Sequence, residues 1–197
     1  ESFAPLVNGR FVGVDMSGLM LRQAQKNLAS LSKRSPFVYL IEHDVCALEL
    51  KDQFDLALCF GAAGHIPKGK QKEFVDRTYN MLRSGGFFVL LTAERPPWYS
   101  PALWSAFFFD AAMRARNSFF TPEFVMYYLA FLAPRALSLF REAGFRVVSV
   151  PVTRKGIPPS IRLVIGEKPK TLRQGLFCFT QREASENASV LVAVERR

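Results

Sequence analysis

The segment from Phe11 to Asn27 places an acidic residue between a buried strand and a helix, and this order constrains the fold more than any other feature of the chain. Phe11 to Val14 is β-branched and aromatic, which predicts a short strand. Ser17 suits the N-cap of a helix, because apolar residues follow it at helical spacing. Ligands of open parallel sheets bind outside the carboxyl ends of the strands, so Asp15 is placed to accept hydrogen bonds from ligand hydroxyl groups, such as those of a ribose. A helix-capping or loop role for Asp15 stays equally open at this point.

Strand-like runs alternate with helical periodicity along most of the chain. Phe54 to Phe60 is almost continuously apolar, as in a strand that is buried on both faces of a parallel sheet. The alternation predicts a parallel sheet with right-handed crossovers. The predicted strands are Phe11–Val14, Phe37–Ile41, Phe54–Phe60, Phe87–Thr92 and Phe145–Val152, and the later predicted helices are Lys70–Leu82, ended by Gly85-Gly86, and Pro134–Ala143.

Two regions depart from this alternation. Arg95 to Ala133 is a long aromatic insertion that contains both tryptophans, and we expect two helices in it. In the tail, the segments Ile161–Ile165, Leu176–Thr180 and Val190–Glu195 resemble strands joined by polar turns, which predicts an antiparallel edge. We therefore expect residues 1–197 to form a single domain, with residues 95–133 as a helical lid or cap insertion.

Composition and charge narrow the classes of function. The chain has 197 residues and a net charge of +9, from 26 basic and 17 acidic residues. The basic residues are scattered, which favours a solvated surface over a nucleic-acid interface. Three cysteines lie too far apart for a local metal site, so we expect no metal and buried free thiols in a reducing, cytoplasmic setting. Neither a secretory signal nor an apolar run of about 20 residues is visible in this sequence.

Four segments, taken in order, resemble class I S-adenosylmethionine-dependent methyltransferases: VGVDMS, EHDV, FDLALCFGAAGHI and LRSGGFFVLLTAE. The resemblance implies a mostly parallel Rossmann-like sheet with helices on both faces, and S-adenosyl-L-methionine as cofactor. It implies that Asp15 binds the ribose, that Met16 packs on the adenine, and that Asp44 accepts from the adenine amino group. The same segments bring further residues to the cofactor: Val45, Phe60, Gly61 and Ala62. Asp44 has a rival role, which is to bind local backbone amides.

One departure from the family pattern concerns the centre of the sheet. The family has a first strand followed by a glycine-rich turn, and that strand lies between the strands assigned here to Phe11 and Phe54. This sequence has no such segment, and its loss would leave two rows of backbone groups unpaired. We expect an additional N-terminal piece in the natural protein; the alternative is a sheet that is rearranged or completed by a partner.

Methyl transfer from a sulfonium is an in-line displacement that depends mainly on proximity and orientation, so few catalytic side chains are needed. His65, in the loop after the Phe54 strand, is the best candidate for a general base, and a structural histidine is the competing interpretation. His43 is expected to face solvent. Glu94 either lines the acceptor site or caps the next segment.

The aromatic insertion leaves three interpretations open. It can be a lid over an apolar or aromatic small-molecule acceptor, a pair of helices that pack on the core, or an exposed patch that contacts a membrane or a partner chain. The first interpretation, with the resemblance, predicts methyl transfer to a small, fairly apolar acceptor, at oxygen or nitrogen rather than carbon. The competing class is a non-catalytic module that binds a nucleoside or a protein. The sequence does not indicate an oligomeric state.

Overall fold

Seven strands form one sheet in the computed structural model, which describes residues 9–30, 37–119, 129–154, 156–170 and 188–193. The spatial order is β2-β1-β7-β3-β4-β6-β5. Among these strands only β6 runs against the others, so the predicted mostly parallel sheet with an antiparallel C-terminal edge is confirmed. The strands are β1 (Gly9–Asp15), β2 (Phe37–Glu42), β3 (Phe54–Phe60), β4 (Leu82–Ala93), β5 (Arg146–Pro151), β6 (Ile161–Glu167) and β7 (Ala188–Ala193).

The described helices are α1 (Gly18–Ser30), α2 (Gln71–Met81), α3 (Pro101–Phe119) and α4 (Ala133–Glu142). Helix α1 links β1 to β2, whereas α2 links β3 to β4 in the opposite direction across the sheet. Because such crossovers are right-handed, α1 and α2 lie on opposite faces. The expected helices on both faces are therefore present.

The face under α2 and α4 carries the main core. Phe88 of β4 is buried and stacks on Phe140 of α4, with ring centroids 4.6 Å apart. The rings of Phe74 of α2 and Phe88 pack in a T-shaped arrangement, with centroids 5.7 Å apart. The opposite face of these strands is less covered, since Val148 on β5 is 58% exposed. Residues of β3, β4 and β6 are thus buried in one core on this face of the sheet.

The Gly85-Gly86 pair does not end a helix, which corrects one prediction. Helix α2 ends at Met81, where the backbone N–H of Leu82 donates to the Thr78 carbonyl. The glycine pair lies inside β4, and the register against β3 shifts there. Gly85 has φ +85°, a left-handed conformation that suits glycine and accommodates the irregularity.

The C-terminal strand is also placed differently from the prediction. The strand expected at Val190–Glu195 is β7, and it runs parallel between β1 and β3 rather than at an antiparallel edge. Leu191 lies opposite both Val12 and Ala57. The physical reason is backbone pairing, because β1 and β3 would otherwise each expose a row of unpaired groups at the centre of the sheet. In the part of the chain that the structure describes, β7 therefore occupies the position between β1 and β3.

Two further predictions fall partly outside the described residues. The aromatic insertion shows the helix α3, whereas a second helix would fall in residues 120–128, and the strand predicted at Leu176–Thr180 also lies outside. Cys46 and Cys59 are buried free thiols, as predicted, and Cys178 is not among the described residues. No helix of the described part has the length and apolar character needed to cross a membrane.

Candidate functional site

The carboxyl ends of β1 and β2 bring two predicted acids to one edge of the sheet. Asp15, the last residue of β1, lies opposite Glu42, the last residue of β2. The N–H of His43 donates to the Asp15 carbonyl at 3.1 Å and extends the pairing by one residue. Asp44 follows directly, so Asp15 and Asp44 leave neighbouring parallel strands at the same rim.

Asp15 combines a capping bond with an open oxygen. Its Oδ1 accepts from the N–H of Ser17 at 2.7 Å, and Ser17 in turn accepts from the N–H of Met20 at 3.4 Å. The predicted N-cap is thus present, and Asp15 supports it. The other carboxylate oxygen, Oδ2, accepts no bond from the residues that the structure describes. Beside it, the side chain of Met16 is 73% exposed.

Asp44 has both carboxylate oxygens engaged. Oδ1 accepts from the N–H of Cys46 at 2.9 Å and caps the short 3₁₀ helix Val45–Ala47. Oδ2 accepts from the ammonium of Lys70 at 3.2 Å. Burial raises the pKa of Asp44, but the Cys46 amide and the Lys70 ammonium outweigh it and hold the pKa below its usual value. The local-backbone role considered for Asp44 is therefore observed.

Two neighbours of these acids were missed in the sequence. Lys70 is 26 residues from Asp44, so no local spacing could indicate the pair. The Glu42 carboxylate lies against Gly18 at the N-terminus of α1, where a side chain at position 18 would collide with it. A carboxylate there is favoured by the helix dipole. The acid at the end of β2 was visible in the sequence, but its contact with Gly18 depends on the strand register.

The end of β3 forms the second part of the site. Phe60 is the last strand residue, and Gly61 follows with φ +89°. This conformation turns the chain sharply into the 3₁₀ helix Ala62–His65. One strand, β7, separates β3 from β1, so this turn lies about 10 Å from the Asp15 backbone. His65 is half-buried in that short helix.

The remaining candidates occupy structural positions. Val45 packs against the core and lines, with Val14 and Phe74, an apolar cavity of about 10 Å³. That cavity is far too small for a nucleoside. His43 is exposed, as predicted, with Nδ1 2.9 Å from the Asp44 carbonyl oxygen. The Glu94 carboxylate lies 3.2 Å from the guanidinium of Arg162. The described residues contain no group of three metal-ligating side chains.

Comparison with known proteins identifies this architecture. Residues 1–86 match a family model described as a methyltransferase domain. No curated protein matches the chain. Among solved structures, an S-adenosylmethionine-dependent methyltransferase of Methanosarcina mazei aligns with a TM-score of 0.61 and 14% identity, over 82% of each chain. The chain has the fold of the class I S-adenosylmethionine-dependent methyltransferases.

Two structures with bound product show what this methyltransferase fold holds elsewhere. The 1,6-didemethyltoxoflavin-N1-methyltransferase of Burkholderia thailandensis, solved with bound 1,6-didemethyltoxoflavin and S-adenosylhomocysteine, aligns with a TM-score of 0.55 and 17% identity, over 85% of this chain and 75% of that one. The magnesium protoporphyrin IX methyltransferase of Synechocystis, solved with S-adenosylhomocysteine, gives 0.54 and 12%, over 80% and 63%. At these identities the likeness concerns the methyltransferase fold alone.

Proposed function

We propose that this protein transfers a methyl group from S-adenosyl-L-methionine to a small, fairly apolar acceptor, at oxygen or nitrogen rather than carbon. The observation that carries the proposal is the convergence of Asp15, Asp44 and the Gly61 turn on one rim of the sheet. We further propose that residues 1–197 act as one domain, with residues 95–133 as a cap over the acceptor. The proposed location of the protein is a reducing, cytoplasmic setting.

The residues at the rim fit the nucleoside half of this cofactor. The Oδ2 of Asp15, which accepts no hydrogen bond from the described residues, is placed to accept from ribose hydroxyls, and the exposed Met16 side chain offers an apolar surface to the adenine. Asp44 ranks below Asp15 as an adenine partner, because both of its oxygens already accept protein hydrogen bonds. Val45 contributes backbone next to the adenine, since its side chain packs inward.

The turn after β3 is assigned to the methionine half. Phe60, Gly61 and Ala62 present backbone there, and the absence of a side chain at Gly61 permits close approach. When bound, the cofactor supplies an activated methyl group, so the protein has to orient the acceptor and exclude water. His65 is proposed to take a proton from an acceptor hydroxyl or amine, since an imidazole nitrogen can act as a general base.

A non-catalytic module that binds a nucleoside or a protein is the second candidate, and one observation favours it. The central position between β1 and β3 is filled by β7. The residues directly after β7 in the sequence, Val194 and Glu195, are not glycines, whose lack of a side chain would let the backbone approach a ligand closely.

Calorimetry with S-adenosylmethionine and S-adenosylhomocysteine tests the proposal. We expect both to bind, and we expect Asp15→Ala to weaken binding by about 1–3 kcal/mol, because a ribose acceptor is lost. Asp76→Ala is the matched control, since Asp76 pairs with Lys72 on the outside of α2. Equal affinity in the Asp15→Ala and control proteins would remove Asp15 from the site, and no heat with either nucleoside would overturn the proposed function.

Activity separates the two candidates. Radiolabelled methyl transfer to a panel of small phenols and aromatic amines is expected in the wild-type protein. His65→Gln should reduce the transfer rate about 10²-fold or more while leaving the cofactor Kd unchanged. Nucleoside binding without transfer to any acceptor would favour the non-catalytic module.

A further inference from the structure

Helix α3 and the turn before it expose an unusual amount of aromatic surface. Six side chains there are between 53% and 82% exposed: Trp98, Tyr99, Trp104, Phe107, Phe108 and Phe119. Soluble proteins rarely leave large contiguous apolar patches open, and such patches mark interaction sites. The helix also packs sparsely on the other described elements. We call these six residues the aromatic surface.

The four helical residues of the aromatic surface form one stripe along α3. Trp104, Phe107 and Phe108 are spaced three and four residues apart, and Phe119 continues the same side at 3.6 residues per turn. The opposite side of the helix faces the protein. Asp110 on that side is buried and accepts from the N–H of Leu129 at 3.1 Å.

Positive charge flanks the stripe. At 100° per residue, Arg114 and Arg116 lie on its two sides, and both are exposed. Within residues 95–119 the charged residues are Arg95, Arg114, Arg116 and the buried Asp110. The exposed charge of this segment is therefore entirely basic, on a chain with a net charge of +9.

From this pattern we propose that the aromatic surface is a docking site for an anionic lipid bilayer. Helix α3 has 19 residues and is about 28 Å long, so it can lie along a membrane surface. Aromatic side chains partition into the interface between headgroups and acyl chains, while flanking arginines pair with anionic headgroups. A second copy of the chain fits less well, because it would bring the same positive charge against these arginines. The inference does not rest on the proposed function.

Intrinsic fluorescence gives a direct test, because both tryptophans of the chain, Trp98 and Trp104, belong to the aromatic surface. The full chain is mixed with phosphatidylcholine vesicles with and without phosphatidylserine, and binding is measured by co-sedimentation. We expect binding to the phosphatidylserine vesicles, a blue shift of tryptophan emission, and quenching by brominated acyl chains.

Two pairs of variants separate specific docking from general attraction. Phe107→Ser with Phe108→Ser should weaken vesicle binding about tenfold or more, whereas Tyr39→Ser with Val148→Ser, two exposed residues on other elements, should not. Arg114→Glu with Arg116→Glu should also weaken vesicle binding about tenfold or more. Its matched control is Arg22→Glu with Lys26→Glu, which makes the same change of charge on the exposed side of α1.

Four results would overturn the proposal. The first is no binding to phosphatidylserine vesicles, and the second is equal binding to neutral ones. The third is equal weakening by the two charge-reversal pairs, which would mean attraction by net charge alone. The fourth is self-association in sedimentation velocity that the Phe107 and Phe108 changes abolish, which would mean that a second copy covers the surface. Circular dichroism of each variant verifies that the fold is intact.

Discussion

At the residue scale, the two acids at the sheet rim differ in what their oxygens already do. Among the residues that the structure describes, one oxygen of Asp15 accepts no hydrogen bond, whereas both oxygens of Asp44 accept hydrogen bonds from the protein. In both cases the sequence shows an Asp at the end of a predicted strand or shortly after it. The difference depends on Lys70 and on the local turn, which only the folded chain brings together.

Asp44 is therefore predicted to matter for stability as well as for binding. Asp44→Ala removes the cap of Val45–Ala47 and should lower the free energy of unfolding by about 1 kcal/mol. Because the folded state lowers the pKa of Asp44, this contribution is full above its usual value of 3.8 and fades as the pH falls through the lowered pKa. Urea unfolding of the wild-type and Asp44→Ala proteins at about pH 7 and about pH 3 measures the difference in their free energies of unfolding. A difference that is the same at both pH values would contradict the assignment.

The Cys46 thiol is predicted to be inert in the folded protein. Burial, and then the negative charge of Asp44, raise its pKa to about 11. The thiolate is the reactive form, so iodoacetamide at about pH 8 should leave Cys46 unmodified without denaturant and modify it in urea. Peptide mass mapping gives the extent of alkylation at each cysteine. Rapid labelling under native conditions would show that the region of Asp44 and Cys46 is open.

At the element scale, hydrogen bonds from one lysine side chain connect the end of β6 to α2 and β4. Lys168, just beyond β6, donates from Nζ to the carbonyls of Tyr79 at 3.0 Å and Leu82 at 2.7 Å, and to the Asp52 carboxylate at 2.9 Å. The same ammonium lies 4.7 Å from the centre of the Tyr79 ring. The hydrogen bond from Lys168 is the main cause of the lowered pKa of Asp52.

Lys168→Met should leave two carbonyls without their donor and lower the free energy of unfolding by about 1–3 kcal/mol. Lys170→Met is the control, because Lys170 is exposed and two residues away. The urea midpoints of both variants are compared with wild type. Similar midpoints for the two variants would mean that the ammonium contributes little beyond general charge.

Most elements of the fold could be predicted because their signals are local. Apolar runs such as Phe54–Phe60 and the helical spacing after Ser17 report burial and periodicity within a few residues. The prediction that Gly85-Gly86 ends a helix was wrong, because a glycine pair is equally compatible with a helix end and with an irregularity in a strand. The neighbours of β7 could not be predicted, since the choice between an edge and a central position depends on which backbone groups elsewhere lack partners.

At the scale of the whole molecule, the two faces of the sheet are unequal. Phe88 and Leu90 of β4 are buried under α2 and α4, whereas their neighbours Phe87 and Val89 on the other face are not. Leu58 of β3, next to Val89, is also only partly buried. The stability of the sheet centre thus depends on one packed face and on complete backbone pairing, which assigns a large role to β7.

The central position of β7 predicts slow amide exchange in a segment near the chain end. Leu191 pairs with β1 on one side and β3 on the other, so the amides of residues 188–193 should exchange with solvent as slowly as those of Leu58 and Leu90. Leu191→Pro should destabilise the protein by about 1–3 kcal/mol more than Leu191→Ala, which keeps the amide, because proline leaves a buried carbonyl unpaired. Hydrogen exchange with mass spectrometry and urea unfolding measure the two effects. Fast exchange of residues 188–193, with equal stability of the two variants, would place the tail outside the sheet and leave the slot between β1 and β3 to another strand.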